Sequence, residues 1–439
     1  MDNWRCYSEC AVQNNPLLIL GQTTYRNERK RFGIKLEDRR RPTVILGKTG
    51  MGKSTLLLNC IVQDIQRGNG VVVIDPHGDL IERVLATIPA RRINETVYFN
   101  PADTEHPIGF NPLHNADPRQ RHLVASGIIQ AFKKIWVDFW GPRLEYVLRN
   151  ALLALIESPG NTLLGIPRLL TDDQYRIRVL KGVNDPVIRQ FWTTEYEQYP
   201  KVFRTETISP IQNKVGQFLA NPLTRNILGQ TKTNFNLLDV MDSGKIMLVN
   251  LAKGSIGEDA ASLLGALMVT QLYVSSLRRV RSTEDQRRDV YVYIDEAHFV
   301  QTDEFATILS EARKYRLNIA GMANQFLTQF PPSMVSAILG NAGTLIAFAC
   351  GSEDAEILAR EFFPLFSASD LQNLSQREMY IRLSIDGKTS VPFSAEALTW
   401  KEPTFPPNRD AIVTQSRQRY CKRRIQIAKD ISSWIQPSG

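Results

Sequence analysis

Cysteine is scarce. The five in 439 residues (Cys6, Cys10, Cys60, Cys350 and Cys421) are too few and too scattered for a disulfide framework, so a reducing compartment is expected. Cys6 and Cys10 form a C-x3-C pair, but no second Cys/His pair at zinc spacing lies near them, and ordinary thiols are the expectation. Long apolar runs are also missing. Leu17 to Leu20 is too short for a secretory h-region. The longest weakly polar stretch, Val335 to Gly351, holds Asn341 and several glycines and falls short of the ~20 apolar residues that span a bilayer. The expectation is no transmembrane segment of the chain's own and a cytoplasmic location. Fixed-period repeats and low-complexity tracts are absent as well, which excludes solenoids and fibrous classes.

A strong charge of one sign is lacking too. Lys+Arg 53 against Asp+Glu 45 leaves a net charge of +8, a mild hint of a polyanionic partner. Residues 1 to 41 carry nine basic and five acidic residues, and 409 to 439 carry seven and two, so the stretch between them is close to neutral. The two basic ends would form an electrostatic funnel if they lay together at a channel mouth.

With 43% hydrophobic and 22% charged residues, the chain can bury the cores of two or three domains. Near-continuous apolar runs recur at TVILG (43 to 47), VVVID (71 to 75), TVYF (96 to 99), IMLVNL (246 to 251), VYVYID (290 to 295), LNIAGMA (317 to 323), TLIAF (344 to 348) and MYIRL (379 to 383). Strands of this kind are covered on both faces, as in the mostly parallel sheet of an α/β domain. Between Phe99 and Ile246 the pattern turns helical, as in 144 to 157, 161 to 170 and 186 to 199. The expected organisation is a basic segment over 1–41, an α/β domain over 42–108 and 240–398, an inserted all-α domain over 109–239, and a linker with a basic tail over 399–439. Pro403, Pro406 and Pro407 mark the linker, and 417 to 436 could form an amphipathic helix.

Gly47-Lys48-Thr49-Gly50-Met51-Gly52-Lys53-Ser54, followed by Thr55, matches G-x-x-x-x-G-K-[ST] directly after a strand and before a helical pattern. Glycines let the backbone wind tightly enough for several N–H groups to face phosphate oxygens, and the helix N-terminus adds its positive end. Lys53 is expected at the β/γ-phosphates and Ser54 at Mg2+, so ATP and Mg2+ are the expected cofactors. Asp295 and Glu296 end a buried strand, as in a Walker B element: Asp295 for the Mg2+ shell and Glu296 to orient and deprotonate water. A separate strand run between the P-loop and these acids, together with the Glu directly after Asp295, points to P-loop ATPases with an added catalytic glutamate rather than to nucleotide kinases or small GTPases.

Gln325, at the end of the next strand, suits a γ-phosphate sensor. Arg313 on the intervening helix reads either as solvated helix charge or as a finger for a neighbouring subunit. Asp295-Glu296-Ala297-His298 also spells the DEAH helicase box, but the second RecA-like half with its Q-x-x-G-R-x-x-R element is missing, so the match reads as accidental.

These residues resemble the HerA/FtsK superfamily of DNA-pumping ATPases and, within it, the type IV secretion coupling proteins. Ile74-Asp75-Pro76-His77-Gly78-Asp79 is similar to the family's D-P-x-G-D segment. Asn100-Pro101 and Gly109-Phe110-Asn111-Pro112 follow its pattern, Ala312-Arg313-Lys314-Tyr315 is similar to its element after Walker B, and Gln325 matches its sensor. The resemblance covers roughly residues 33 to 395. It implies a RecA-like fold, a homohexameric ring that hydrolyses ATP to move DNA, Arg313 acting across the subunit interface, and a membrane secretion channel and relaxosome proteins as partners. Coupling proteins of this kind usually begin with transmembrane helices, whereas about forty soluble residues precede the P-loop here, so the expectation is either a soluble variant that reaches a membrane channel through partners or a cytoplasmic DNA-processing role closer to HerA. The rival readings are a secretion-channel assembly ATPase acting on protein and a nucleotide-dependent scaffold with little turnover.

Overall fold

A computed structural model describes residues 17–25, 28–136, 140–399, 401 and 407–436. Cys6, Cys10, Pro403 and Pro406 lie outside the described residues. The chain forms two compact units. The first takes the residues up to Tyr98, Leu238–Asn250 and Ser276–Val413; the second takes Phe99–Leu237, Leu251–Ser275 and the residues from Thr414 onward.

The first unit is built on strands β1 (Leu17–Thr23), β2 (Arg31–Lys35), β3 (Thr43–Leu46), β4 (Gly70–Asp75), β5 (Thr96–Phe99), β6 (Ile246–Asn250), β7 (Val290–Ile294), β8 (Leu317–Asn324), β9 (Thr344–Ala347) and β10 (Glu378–Arg382). A two-strand ribbon follows, β11 (Ser384–Ile385) with β12 (Lys388–Thr389), and then β13 (Phe393–Ala397). Eleven of these make one sheet in the order β2-β1-β13-β10-β9-β3-β8-β7-β4-β6-β5. From β9 to β6 every pairing is parallel, and from β9 outward to β2 every pairing is antiparallel. The central sheet is therefore the parallel one expected, with all eight predicted strands present.

β3, β4, β6, β7, β8 and β9 are buried along their whole length, as their unbroken apolar sequences require. The differences lie at the antiparallel edge. β1 and β2 occupy a stretch read from sequence only as a basic segment, and β13 carries no strong apolar run. These strands are partly exposed and interrupted by glycine and charge, so their periodicity is weak.

Helix Lys53–Gln66 covers the sheet with Leu56, Leu57, Leu58, Ile61 and Ile65, all buried; each is worth roughly 1.5–3 kcal/mol of burial. A buried ion pair ties this helix in place. Arg39 donates to both carboxylate oxygens of Asp64, at 2.9 and 2.5 Å, and to the Tyr293 hydroxyl at 3.0 Å, and its guanidinium stacks 3.7 Å from the Tyr291 ring.

The second unit is helical. Helices Arg121–Ile135, Pro142–Glu157, Gly165–Thr171 and Lys201–Ala220 lie in the stretch where the sequence pattern loses its strands. Helix Glu258–Leu277 also enters this unit, and Gly127 packs so closely on Thr270 that a Cβ would lie 2.0 Å from its methyl. Among the described residues the helix long and apolar enough to cross a membrane is Glu258–Arg281, not the 335–351 stretch, and most of it is buried inside the fold; helical spacing of its few polar residues hid it as a run.

The tail holds two helices, Arg409–Tyr420 and Arg424–Ile435, rather than one. Trp434 stacks edge-on against Tyr175 and donates to the Gly160 carbonyl, and Ile427 and Ile431 are buried, so helix Arg424–Ile435 packs within the second unit. Its basic residues are largely paired: Arg409 with Glu82, Arg417 with Asp103, Lys422 with Asp430 and Arg424 with Glu105. Much of the charge expected to form a free funnel is matched by carboxylates.

Candidate nucleotide site

Parallel strands deliver their C-terminal ends to one edge of a sheet, where open α/β folds bind ligands. Here that edge collects Gly47 after β3, Asp75 of β4, Asn250 of β6, Asp295 after β7, Asn324 of β8 and Phe348 after β9, with Leu46 level with Asn324 and Ala347, and Asp75 level with Asn250.

The loop after β3 needs its glycines. Gly47, Gly50 and Gly52 have φ of +151°, +80° and +118°, a region costly for residues with a Cβ. At Gly47 a Cβ would also lie 2.6 Å from Cβ of Phe348, whereas at Gly50 nothing lies within 4 Å, leaving an open cradle. The Lys48 N–H donates to the Ala349 carbonyl at 2.7 Å. Lys48, Thr49 and Gly50 are exposed, while Thr55 on the first helical turn is half-buried.

Lys53 is buried and folds back into the loop, donating to the carbonyls of Gly47 (2.6 Å) and Lys48 (3.1 Å). Burial lowers its pKa against the opposing pull of Glu296 and Asp295. The Ser54 hydroxyl donates to Oδ2 of Asp295 at 2.9 Å. Burial, and then the nearby Asp75 carboxylate, push the Asp295 carboxyl up to about 6. A buried carboxylate facing a hydroxyl, both hard oxygen donors, beside an open glycine loop is a donor set that fits Mg2+ and a polyphosphate.

Asp75 is otherwise engaged. Its oxygens accept from the backbone N–H groups of His77, Leu80 and Ile81 at 2.8 to 3.2 Å, capping helix Asp79–Leu85. Gly78 (φ +93°) lies so close to Asn250 that a Cβ would be 2.7 Å from its Oδ1.

Glu296 has φ of +46°, left-handed for a non-glycine residue, and turns its side chain back toward the site. Burial pushes its carboxyl up, but the hydrogen bond from His298 and the charges of Lys53, His298 and His77 outweigh it and hold the pKa below the usual glutamate value. Gln325 is half-buried at the end of β8. Arg313 lies elsewhere, exposed on the short turn Ala312–Tyr315 that leads into the start of β8. The eight residues of β8 separate it from this edge by about 25 Å at the usual strand rise. Its neighbours are spent on local pairs, Lys314 with Glu311 and Arg316 with Asp289 and Glu284.

Sequence reasoning passed over three contributors. Asn324 and His298 bond to each other beside Glu296; the DEAH reading of residues 295–298 fails for want of a second RecA-like half, and the Walker B reading takes only the two acids. The turn before β10 closes on the P-loop, with Gln376 donating to the Gly50 carbonyl at 3.0 Å and the Arg377 N–H to the Met51 carbonyl at 3.0 Å, contacts that no local pattern announces.

Comparison with known structures gives the same fold. A plasmid coupling protein, TrwB, in complex with a non-hydrolysable GTP analogue superposes with a TM-score of 0.64 at 14% identity, covering 85% of this chain and 89% of that one. TrwB with ADP and Mg2+ gives 0.63 at 14%, covering 88% and 91%. VirB4 of Thermoanaerobacter pseudethanolicus gives 0.56 at 16%, covering 87% and 96%. No curated protein sequence matches. The model of the central domain of helicase HerA matches residues 20–269, more than half the chain, spanning the P-loop and ending short of Asp295. With a RecA-like sheet and that match, the chain belongs to the HerA helicase central-domain family.

Proposed function

We propose that the protein is an ATP-hydrolysing DNA translocase motor of the coupling-protein kind, working as a homohexameric ring. The observation that carries the ATPase reading is the meeting of Ser54 and Asp295 at 2.9 Å beside the buried Lys53. In this reading the 47–52 backbone and Lys53 hold the phosphates of ATP, Ser54 and Asp295 hold Mg2+, and Glu296 orients and deprotonates the attacking water. Mg2+ supplies charge neutralisation at the transferring phosphoryl group. Gln325 reads the γ-phosphate position. Arg313, about 25 Å along β8 from its own P-loop, serves the site of a neighbouring subunit.

DNA as the substrate is supported by the helicase family to which the chain belongs and by the plasmid coupling protein whose fold it shares. A cytoplasmic location, with any secretion channel or relaxosome reached through partners, fits the burial of the long apolar helix. The deciding experiment measures ATPase rate against DNA length and salt, with the oligomer sized in the same buffer. Turnover should rise with DNA and the stimulation should fall steeply with salt, as phosphate contacts do. A rate indifferent to DNA at low salt would favour a motor that handles protein, and negligible turnover under all conditions would favour a scaffold.

A further inference from the structure

The fourth residue of the 295–298 tetrapeptide has no part in the chemistry above. His298 lies on the turn Ala297–Phe299 after β7. Its Nδ1 is 2.8 Å from Oδ1 of Asn324 and 3.4 Å from Oε2 of Glu296, and its backbone N–H donates to the same Asn324 oxygen at 3.1 Å. Asn324 is fully buried, and its amide has one orientation: Nδ2 donates to the Phe326 carbonyl (2.6 Å) and to Oε1 of Gln329 (2.8 Å), leaving Oδ1 to accept. Both partners of the His298 Nδ1 are acceptors, so that nitrogen carries the proton.

We propose that His298 is a positioning residue for hydrolysis: its Nδ1–H, anchored on Asn324 at the end of β8, holds the Glu296 carboxylate in its working orientation and ties it to the strand that leads into Gln325. This rests on reading Glu296 as the residue that activates water. The carboxylate needs such a support because it projects from a left-handed residue at the start of a turn that has no side-chain cap. β7 and β8 are hydrogen-bonded neighbours, so the two ends joined by the ring are adjacent, and a shift at the end of β8 reaches Glu296 through one side chain. The backbone N–H of residue 298 bonds to Asn324 independently of the ring, so replacing the imidazole keeps the turn and isolates what the ring does.

The test uses the full chain and compares kcat and KM for ATP, and affinity for ADP with Mg2+, in His298→Ala, His298→Asn and His298→Gln. His298→Ala should lower kcat by roughly 10- to 100-fold, the usual cost of removing an outer hydrogen-bond partner, with KM and ADP affinity unchanged. His298→Asn puts an amide N–H near the place of Nδ1 and should recover most of the loss; His298→Gln, whose amide reaches toward the place of Nε2, should not. In single-turnover measurements, adding His298→Ala to Glu296→Gln should cost nothing more. Wild-type kcat in His298→Ala, no recovery in His298→Asn, or a further full loss in the double variant would overturn the proposal while leaving Glu296 in its role. Wild-type turnover in Glu296→Gln would instead overturn the reading on which the proposal rests.

Discussion

The two halves of the large sheet divide the labour. From β9 to β6 the strands run parallel, buried on both faces, and their ends carry the acids, amides and P-loop. From β10 to β2 they run antiparallel, partly exposed, and carry none of the proposed chemistry. Yet the antiparallel half grips the P-loop from outside through the 376–377 turn, and Arg377 is itself held by Glu396 of β13 at 2.8 Å. Parallel strands aim all their C-terminal ends at one place, which suits a site; antiparallel strands alternate direction and serve as a buttress.

The sharpest test of this division is Lys53→Ala in the parallel half, expected to cut ATP turnover by roughly 100-fold or more while leaving the fold intact, since it removes a preorganised charge from the reacting phosphates. Arg313→Ala should be inactive alone but regain activity when mixed with Lys53→Ala subunits, each supplying what the other lacks; mixed preparations without recovery would leave Arg313 a surface charge. Next in size is Asp64→Ala, which strands the buried Arg39 guanidinium and should cost about 3–5 kcal/mol in chemical denaturation.

Asp295→Asn should act in the opposite direction, stabilising the nucleotide-free protein by about 1–3 kcal/mol at pH 7.5 while abolishing hydrolysis. Because the folded carboxyl, held up by burial and Asp75, loses its proton only near 6 against an ordinary value of 3.8, the folded state loses stability as pH rises from about 4 to 6 and carries the full penalty above that. The gain from asparagine should therefore be full at pH 7.5, shrink as pH falls from about 6 to 4, and vanish only near pH 3, where the carboxyl is protonated in folded and unfolded states alike; thermal melts from pH 7.5 down to 3 check the sign. Smallest is Gln376→Ala in the buttress, expected to weaken nucleotide binding by no more than about 1 kcal/mol, the worth of an exposed hydrogen bond. An effect as large as that of Lys53→Ala would erase the distinction between the halves.

The parallel half was legible because burial on both faces demands unbroken apolar sequence, and because the P-loop and Asp295-Glu296 are local patterns whose residues suffice to name them. β1, β2 and β13 were not legible as sheet members: a strand such as Arg31–Lys35, with a single buried position, leaves almost no period to read. Asn324 was overshadowed by its neighbour Gln325, since alternation along a strand cannot say which of two amides turns inward at its end. His298 carries no local signal once the accidental DEAH match is put aside, because its contact is with a residue 26 positions away. The charges of Arg409, Arg417 and Arg424 looked free because their carboxylate partners lie hundreds of residues distant.

The place of β3 in the sheet has a consequence for how the chain is made. This strand, which launches the P-loop, sits between β8 and β9, and both are synthesised about 270 residues or more after it, a delay of roughly 15 to 60 seconds at ordinary ribosomal speeds. Until then Val44, Ile45 and Leu46, the three apolar residues of β3, lack both of the strands that flank them. The nucleotide loop thus emerges well before the two strands that fix it in the sheet, so its apolar flank is exposed to wrong pairing during that interval.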